Sequence, residues 1–352
     1  MLLVVAPVLA QAQPASPDYP GHCQSPVWSP DGTQLSWEVN YHDRKTVELW
    51  VGPVGGTPRK VTPVVRGASS TMTAGFDTAA AEMVVHELSF SPPQLKRFAY
   101  SASGTTQDYD VYIDGAGPVA PAPGADGAAA WSPDGRYIAF TTARTGQGDL
   151  YLLDVQAVEK PPLRLTGDAT SSELFASWAP DSKRLAFVGH TQKGDNVYVI
   201  DNIDFPAPRA VTQWEHTNTR PTWSPDGTMI AFFSNHTDIA RFDLYVTPVG
   251  GTPTLVATDV RTNDDGPAWT PDSKHLIFVK HDENALDPVW AAPIRQPSQG
   301  RAIATGTVGN ADLDVVKRPD GQVWLAVAAQ GRVGDKVRDF RRIYTMAISG
   351  LP

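Results

Sequence analysis

Short apolar runs return along this chain at nearly equal intervals, each set five residues beyond a proline: Leu35-Ser36-Trp37, Ile138-Ala139-Phe140, Leu185-Ala186-Phe187, Ile230-Ala231-Phe232 and Leu276-Ile277-Phe278. Phe98-Ala99-Tyr100 and Trp324-Leu325-Ala326 take that place in two more worn stretches. Aliphatic and aromatic runs bounded by turn residues read as buried strands. A second apolar marker follows, an aromatic that recurs as Trp50, Tyr112, Tyr151, Tyr198, Tyr245, Trp290 and Tyr344, 18 to 20 residues past the proline in six units and 25 in the last. It predicts a third strand in every unit. A fourth run, as in Leu163-Arg164-Leu165-Thr166 or Arg209-Ala210-Val211-Thr212, completes most of them.

The polar phrase between these runs is as regular as the runs themselves. Trp-Ser-Pro-Asp-Gly stands intact at Trp28 to Gly32, Trp131 to Gly135 and Trp223 to Gly227, and as variants at Trp178 to Ser182 and Trp269 to Ser273. Serine suits the first position of a type I turn, proline presets the φ of the second, and glycine suits the fourth. The prolines, at 30, 92, 133, 180, 225, 271 and 319, are 41 to 48 residues apart with one gap of 62. That period is the mark of stacked four-stranded units, and ring closure would protect their edges. We therefore expect an all-β, seven-bladed β-propeller of antiparallel blades over residues 16–352, with six blades as the alternative. Residues near Tyr19 to Gln24 are expected beside the last blade, helping to close the ring, with a three-stranded last blade as the alternative.

Composition narrows the partners. The 352 residues carry a net charge of −9, which argues against nucleic acid or an anionic membrane surface as the main ligand. No apolar stretch is long enough to span a bilayer. Residues 1–15 read as a signal peptide or disordered tail: Leu2 to Ala10 is apolar, and Ala10 and Ala12 are spaced as a signal-peptidase site needs, although a basic n-region is missing. The expected location is periplasmic or secreted, and the expected state a monomer. Cys23 is the one cysteine, so no intrachain disulfide can form.

Candidate chemistry sits at positions the repeat holds in common. Seven residues before each proline the chain places Cys23, Val85, Asp126, Glu173, Asn218, Asp264 and Asp312. Carboxylates crowded at a channel mouth repel one another, and a hard cation such as Ca²⁺ would relieve that repulsion. Asp126, Glu173, Asp264 and Asp312 are therefore candidate metal ligands, and backbone hydrogen bonding is the plainer role for the same side chains. His42, His190, His236 and His281 lie 10 to 12 residues past their prolines, at the rim of the same face. Equivalent places on neighbouring blades are too far apart for one zinc ion to join them. With Asn218 and the basic last connection, which includes Arg338 and Arg341, they are candidate rim contacts for a protein or peptide. The insertion at about Arg66 to Ala81 is a surface loop or a cover for the channel. No nucleophile elbow, His-Glu-x-x-His helix or phosphate loop is present, so no catalytic residue is assigned.

The units Trp131 to Tyr151 and Trp223 to Tyr245 resemble the repeats of the TolB-like β-propeller family, and the likeness extends over about residues 24–349. The resemblance implies a periplasmic propeller that works through protein contacts. TolB proper has an α/β domain before a six-bladed propeller, a pattern this sequence does not follow, so the Tol partners do not carry over. Related propellers in oligogalacturonate lyases hold a metal through histidine, and other propellers act as lactonases. A metal-dependent enzyme of either kind is the alternative reading.

Overall fold

The computed structural model describes residues 11–41, 43, 46–62, 85–103, 109–146, 148–168, 170–284, 286–333 and 336–352. The insertion near residues 66–81 and His42 lie outside the described residues. Among the described residues strands account for the regular structure, with a 3₁₀ turn at Pro297–Gln299.

The described strands form seven four-stranded antiparallel units along the chain, the fourth and fifth being joined into one eight-stranded sheet by a short parallel pairing of Gly194 and Asp195 with His216 and Thr217. Blade 3 is representative: Asp126–Trp131, Tyr137–Thr142, Asp149–Asp154 and Leu163–Arg164 pair in order. The first strands of blades 1, 2, 4, 5 and 6 are His22–Trp28, Val85–Phe90, Ser172–Trp178, His216–Trp223 and Ala268–Trp269. The two apolar markers of the sequence are cross-strand partners, as in Trp37 with Trp50, Tyr100 with Tyr112, Phe140 with Tyr151, Phe187 with Tyr198, Phe232 with Tyr245 and Phe278 with Trp290. Aromatic pairs across a ladder are a main source of sheet stability, which explains why both markers recur together.

The hydrophobic core is divided among the interfaces between blades. Ala139, Leu150 and Leu152 of blade 3 pack with Trp178, Leu185 and Phe187 of blade 4, and a comparable cluster joins every neighbouring pair, including Ile343 and Ala328 of blade 7 with Trp37 and Val39 of blade 1. A cluster at each junction around the circuit makes a closed ring.

Closure comes from an earlier segment than expected. Blade 7 consists of Leu313–Lys317, Val323–Ala329 and Arg342–Ile348, with Gln13–Pro14 as its outer strand. Gln13 faces Thr345 and Pro14 faces Tyr344, and the N–H groups of Ala15 and Cys23 donate to Ile343 and Arg341. The expected closing segment, Tyr19 to Gln24, also lies beside blade 7, where His22 and Cys23 hydrogen-bond with Arg341, and then runs on as the innermost strand of blade 1. Proline has no N–H to donate and tolerates only an edge, which is where Pro14 lies.

The turn phrase is held by its own side chains. In blade 3 the Gly135 N–H donates to Ser132 O at 2.9 Å, closing the turn. The Ser132 hydroxyl donates to Asp134 Oδ1 at 2.6 Å and accepts from the Tyr137 N–H at 2.9 Å. Ser29, Ser224 and Thr270 repeat the hydroxyl-to-aspartate bond. Where glycine is replaced, Ser182 and Ser273 hold φ of 58° and 60°. Both repay that strain across the interface: Ser182 Oγ accepts the Asp134 N–H at 2.9 Å, and Ser273 Oγ the Asp226 N–H at 3.0 Å.

Candidate functional site at the channel

Five residues before the proline, the first strand bulges. Ser25, Glu87, Ala128, Phe175 and Arg220 all have positive φ, between 47° and 56°, and Gly266 takes that place in blade 6 at 85°. The ladder skips at each of the five, for example between Gly127 and Ala130. A bulge leaves an N–H without a partner in its own ladder and re-aims the side chain. Neighbouring blades supply the missing acceptor. Glu38 of blade 1 accepts the Glu87 N–H at 3.0 Å, Glu87 in turn accepts the Ala128 N–H at 2.6 Å, and Asp312 of blade 7 accepts the Ser25 N–H at 3.2 Å.

These bulges surround a cavity of about 650 Å³ on the ring axis. Its charges are of both signs. The Arg220 guanidinium lies 3.8 Å from the centre of the Phe175 ring, donates to the Asp264 carbonyl, and is 3.5 Å from the Asp264 carboxylate. Ser25 Oγ donates to Asp264 Oδ2 at 2.9 Å. Asp265 is exposed to the cavity and set deep among the protein atoms around the axis. Burial, with the charges of Asp314, Asp312 and Asp264, drives its carboxyl well above the usual range. Asp314, which accepts the Trp28 N–H at 2.8 Å, is pushed up to about 6 by burial.

The candidate ligands of the sequence occupy one register position but separate surroundings. Asp126 is fully buried and pairs with Arg144 at 3.0 Å. Glu173 is buried and accepts hydroxyl bonds from Ser171 at 2.5 Å and Thr166 at 2.7 Å. Asn218 donates to Asp195 O at 2.8 Å and accepts from Ser234 Oγ at 2.6 Å. Asp264 and Asp312 are brought together, the Asp264 N–H donating to Asp312 Oδ1 at 3.3 Å. Among the described residues no three His, Cys, Asp or Glu side chains converge as a metal-ligand set. His190 pairs with Asp195, His236 stacks on Trp214 with ring centres 3.9 Å apart, and His281 lies 3.7 Å from Asp287. Arg338 pairs with Asp18 at 2.5 Å, and Arg341 Nε donates to Gly309 O at 3.2 Å.

Sequence reasoning looked two residues too early for the axis. Simple alternation puts both columns on one face, but in blades 1 to 5 the bulge turns the later column into the channel, whereas in blade 6 Asp264 of the earlier column lines the cavity itself. The later column reads Ser, Glu, Ala, Phe, Arg, Gly and Asp, within a variable stretch ahead of the constant turn phrase, so its composition alone did not mark it.

The profile of the TolB beta propeller domain matches residues 88–279 and again 167–333, which together span well over half of the chain. The chain belongs to the TolB beta propeller domain family. An uncharacterized protein of Agrobacterium fabrum is 28% identical to this TolB-family chain over 157 residues, 44% of this chain and 51% of that protein. The chain thus matches about half the length of that relative. TolB from Acinetobacter baumannii superposes with a TM-score of 0.50 at 17% identity, covering 79% of this chain and 62% of that one. The Swd1 propeller domain of Myceliophteria thermophila gives 0.58 at 11% identity, covering 96% and 100%. At such identities these two superpositions speak for the fold alone.

Proposed function

We propose that this TolB-family propeller is a periplasmic or secreted binding module that docks a protein or peptide at the mouth of its channel. The observation that carries the proposal is the axial column, where Ser25, Glu87, Ala128, Phe175 and Arg220 gather chemically different groups around one cavity. An aromatic face, a guanidinium and several carboxylates in a largely preformed cleft are the groups that fix a peptide's side chains and backbone. Among the described residues no helix is long and apolar enough to cross a membrane. A cut after Ala12 would leave Gln13–Pro14, the closing strand, whole.

The test is capture from an envelope extract by the immobilised propeller, with identification of what is retained and fractionation of the tagged protein in its host. A defined partner should be held by the parent and lost by a Phe175→Ala/Arg220→Glu variant that melts like the parent. Equal retention by both would overturn the channel as the docking site. A stoichiometric transition metal with turnover of an uronate polymer would replace the binding module by the enzyme.

A further inference from the structure

A second, smaller cavity of about 120 Å³ opens between blades 3 and 4 on the loop-bearing face, where the strand Leu185–Thr191 ends. It is lined by Glu173, Ser171, Thr166, Phe187, Tyr198 and Thr191 among others. The repeat shows what such a place holds when it is filled. One blade earlier, Asp126, Phe140, Tyr151 and Arg144 stand at the positions of Glu173, Phe187, Tyr198 and Thr191. There the Arg144 guanidinium reaches Asp126 at 3.0 Å, the Thr142 hydroxyl at 2.9 Å and the Ala120 carbonyl at 2.9 Å, and lies 5.5 Å and 5.1 Å from the centres of the Phe140 and Tyr151 rings. One blade later, Asn218 replaces the carboxylate and His236 covers Tyr245 at 5.2 Å.

Blade 4 keeps the receptor and lacks the occupant. Glu173 is only 3% exposed, and the nearby Arg164 is joined to Asp149 at 3.0 Å. Phe187 and Tyr198 are stacked, with centres 5.6 Å apart and planes 18° from parallel. Thr191 turns its hydroxyl into its own hairpin, donating to Gly194 O at 2.9 Å. Tyr151 is buried beneath Arg144, whereas Tyr198 is partly open. Both Glu173 oxygens already accept a hydroxyl, and each keeps a lone pair for a further donor. Burial raises the Glu173 carboxyl above its usual range, against the hydroxyls of Ser171 and Thr166, and Asp149 and Asp168 push it the same way. An arriving cation would reverse that.

We propose that this pocket receives the arginine side chain of a docked peptide, taking in trans the guanidinium that Arg144 supplies to blade 3 in cis. The site rests on the docking reading above and adds the chemistry of the partner: planar, cationic and aromatic-stacked. The probe is a fluorescent acetyl-Gly-Arg-Gly peptide measured by polarisation against its citrulline twin, which keeps the shape and loses the charge. The arginine peptide should bind at least tenfold more tightly. Glu173→Gln should remove that preference while the melting curve holds, and Thr191→Arg should abolish binding and raise the melting temperature by filling the pocket from within. Equal binding of the two peptides, no binding at millimolar peptide, or full binding by Thr191→Arg would overturn the proposal. Peptide binding without any captured envelope partner would leave the pocket standing and remove the docking reading. A captured partner indifferent to Thr191→Arg would remove the pocket alone.

Discussion

The carboxylates at the turn end of the propeller and those along its axis depart from ordinary acidity in opposite directions. At the turns, the hydroxyl of Ser224 is the main cause of a lowered Asp226. Burial works against Asp31, Asp181 and Asp272, yet hydroxyl and N–H donors from Ser29, Lys183 and Thr270 help to hold them low as well. Along the axis and at the loop-bearing face, burial leads and donors are too few, so Asp126, Glu173, Asp312, Asp314 and Asp265 are all raised. The two regions use the same residue type for different ends. Asp31, Asp181, Asp226 and Asp272 are held low by donors within their own turns, while at the inner acids burial outweighs the donors present, so a cationic ligand would ease the cost of their ionisation.

Opening the ring should do the most damage. Removing residues 11–16 deletes the pairing of Gln13 and Pro14 and the bonds from Ala15, and a drop of several degrees in melting temperature is expected by calorimetry. An unchanged melt would mean that the seven interfaces hold without the closing strand. Next comes the turn lock. Ser132→Ala strands the Tyr137 N–H and strips a donor from Asp134, at a cost of about 1 to 3 kcal/mol measured by denaturant unfolding. The same change at a solvent-exposed serine should be nearly silent.

A pH series separates the two regions directly. Asp314 is raised in the folded state, so its contribution is fully present below the unfolded value near 4 and is lost as pH rises through about 6. Stability should therefore increase on going from pH 7 to pH 5, by about 2 kcal/mol at most, and Asp314→Asn should flatten that limb. The turn aspartates have the opposite sign: their contribution is present above the unfolded value and disappears as pH falls below it, so the curve should turn over near pH 4. A monotonic curve would break the contrast. The smallest expected signal is calcium. An ion at Asp126, Glu173, Asp264 and Asp312 stands as a proposal under which Ca²⁺ raises and EDTA lowers the melting temperature, and Glu173→Ala/Asp264→Ala loses the response. Coincident melts of the parent protein would dismiss it.

The fold was legible because its constraints repeat. Ser132, Pro133 and Asp134 must do in each blade what Ser224, Pro225 and Asp226 do in another, and the cross-strand aromatics must meet. The site was less legible because a bulge adds one residue without changing the spacing of any marker, and so moved the axis from Asp126 to Ala128 and from Glu173 to Phe175. The pocket between blades 3 and 4 was hidden for a different reason. It is defined by the arginine that Thr191 replaces, and that replacement has meaning only when Arg144 is seen lying over Phe140 and Tyr151.

The closing strand sets the order in which the molecule can be finished. Blades 1 to 6 draw all four strands from consecutive sequence, so each can pair as its own segment emerges during synthesis or transfer. Gln13 and Pro14 must wait for Tyr344 and Thr345, almost the whole chain later. Contacts so distant are slow to form because loop closure is paid before they give any return. Until blade 7 is in place the growing chain is an open arc whose apolar flanks on blades 1 and 6 are uncovered and prone to aggregate.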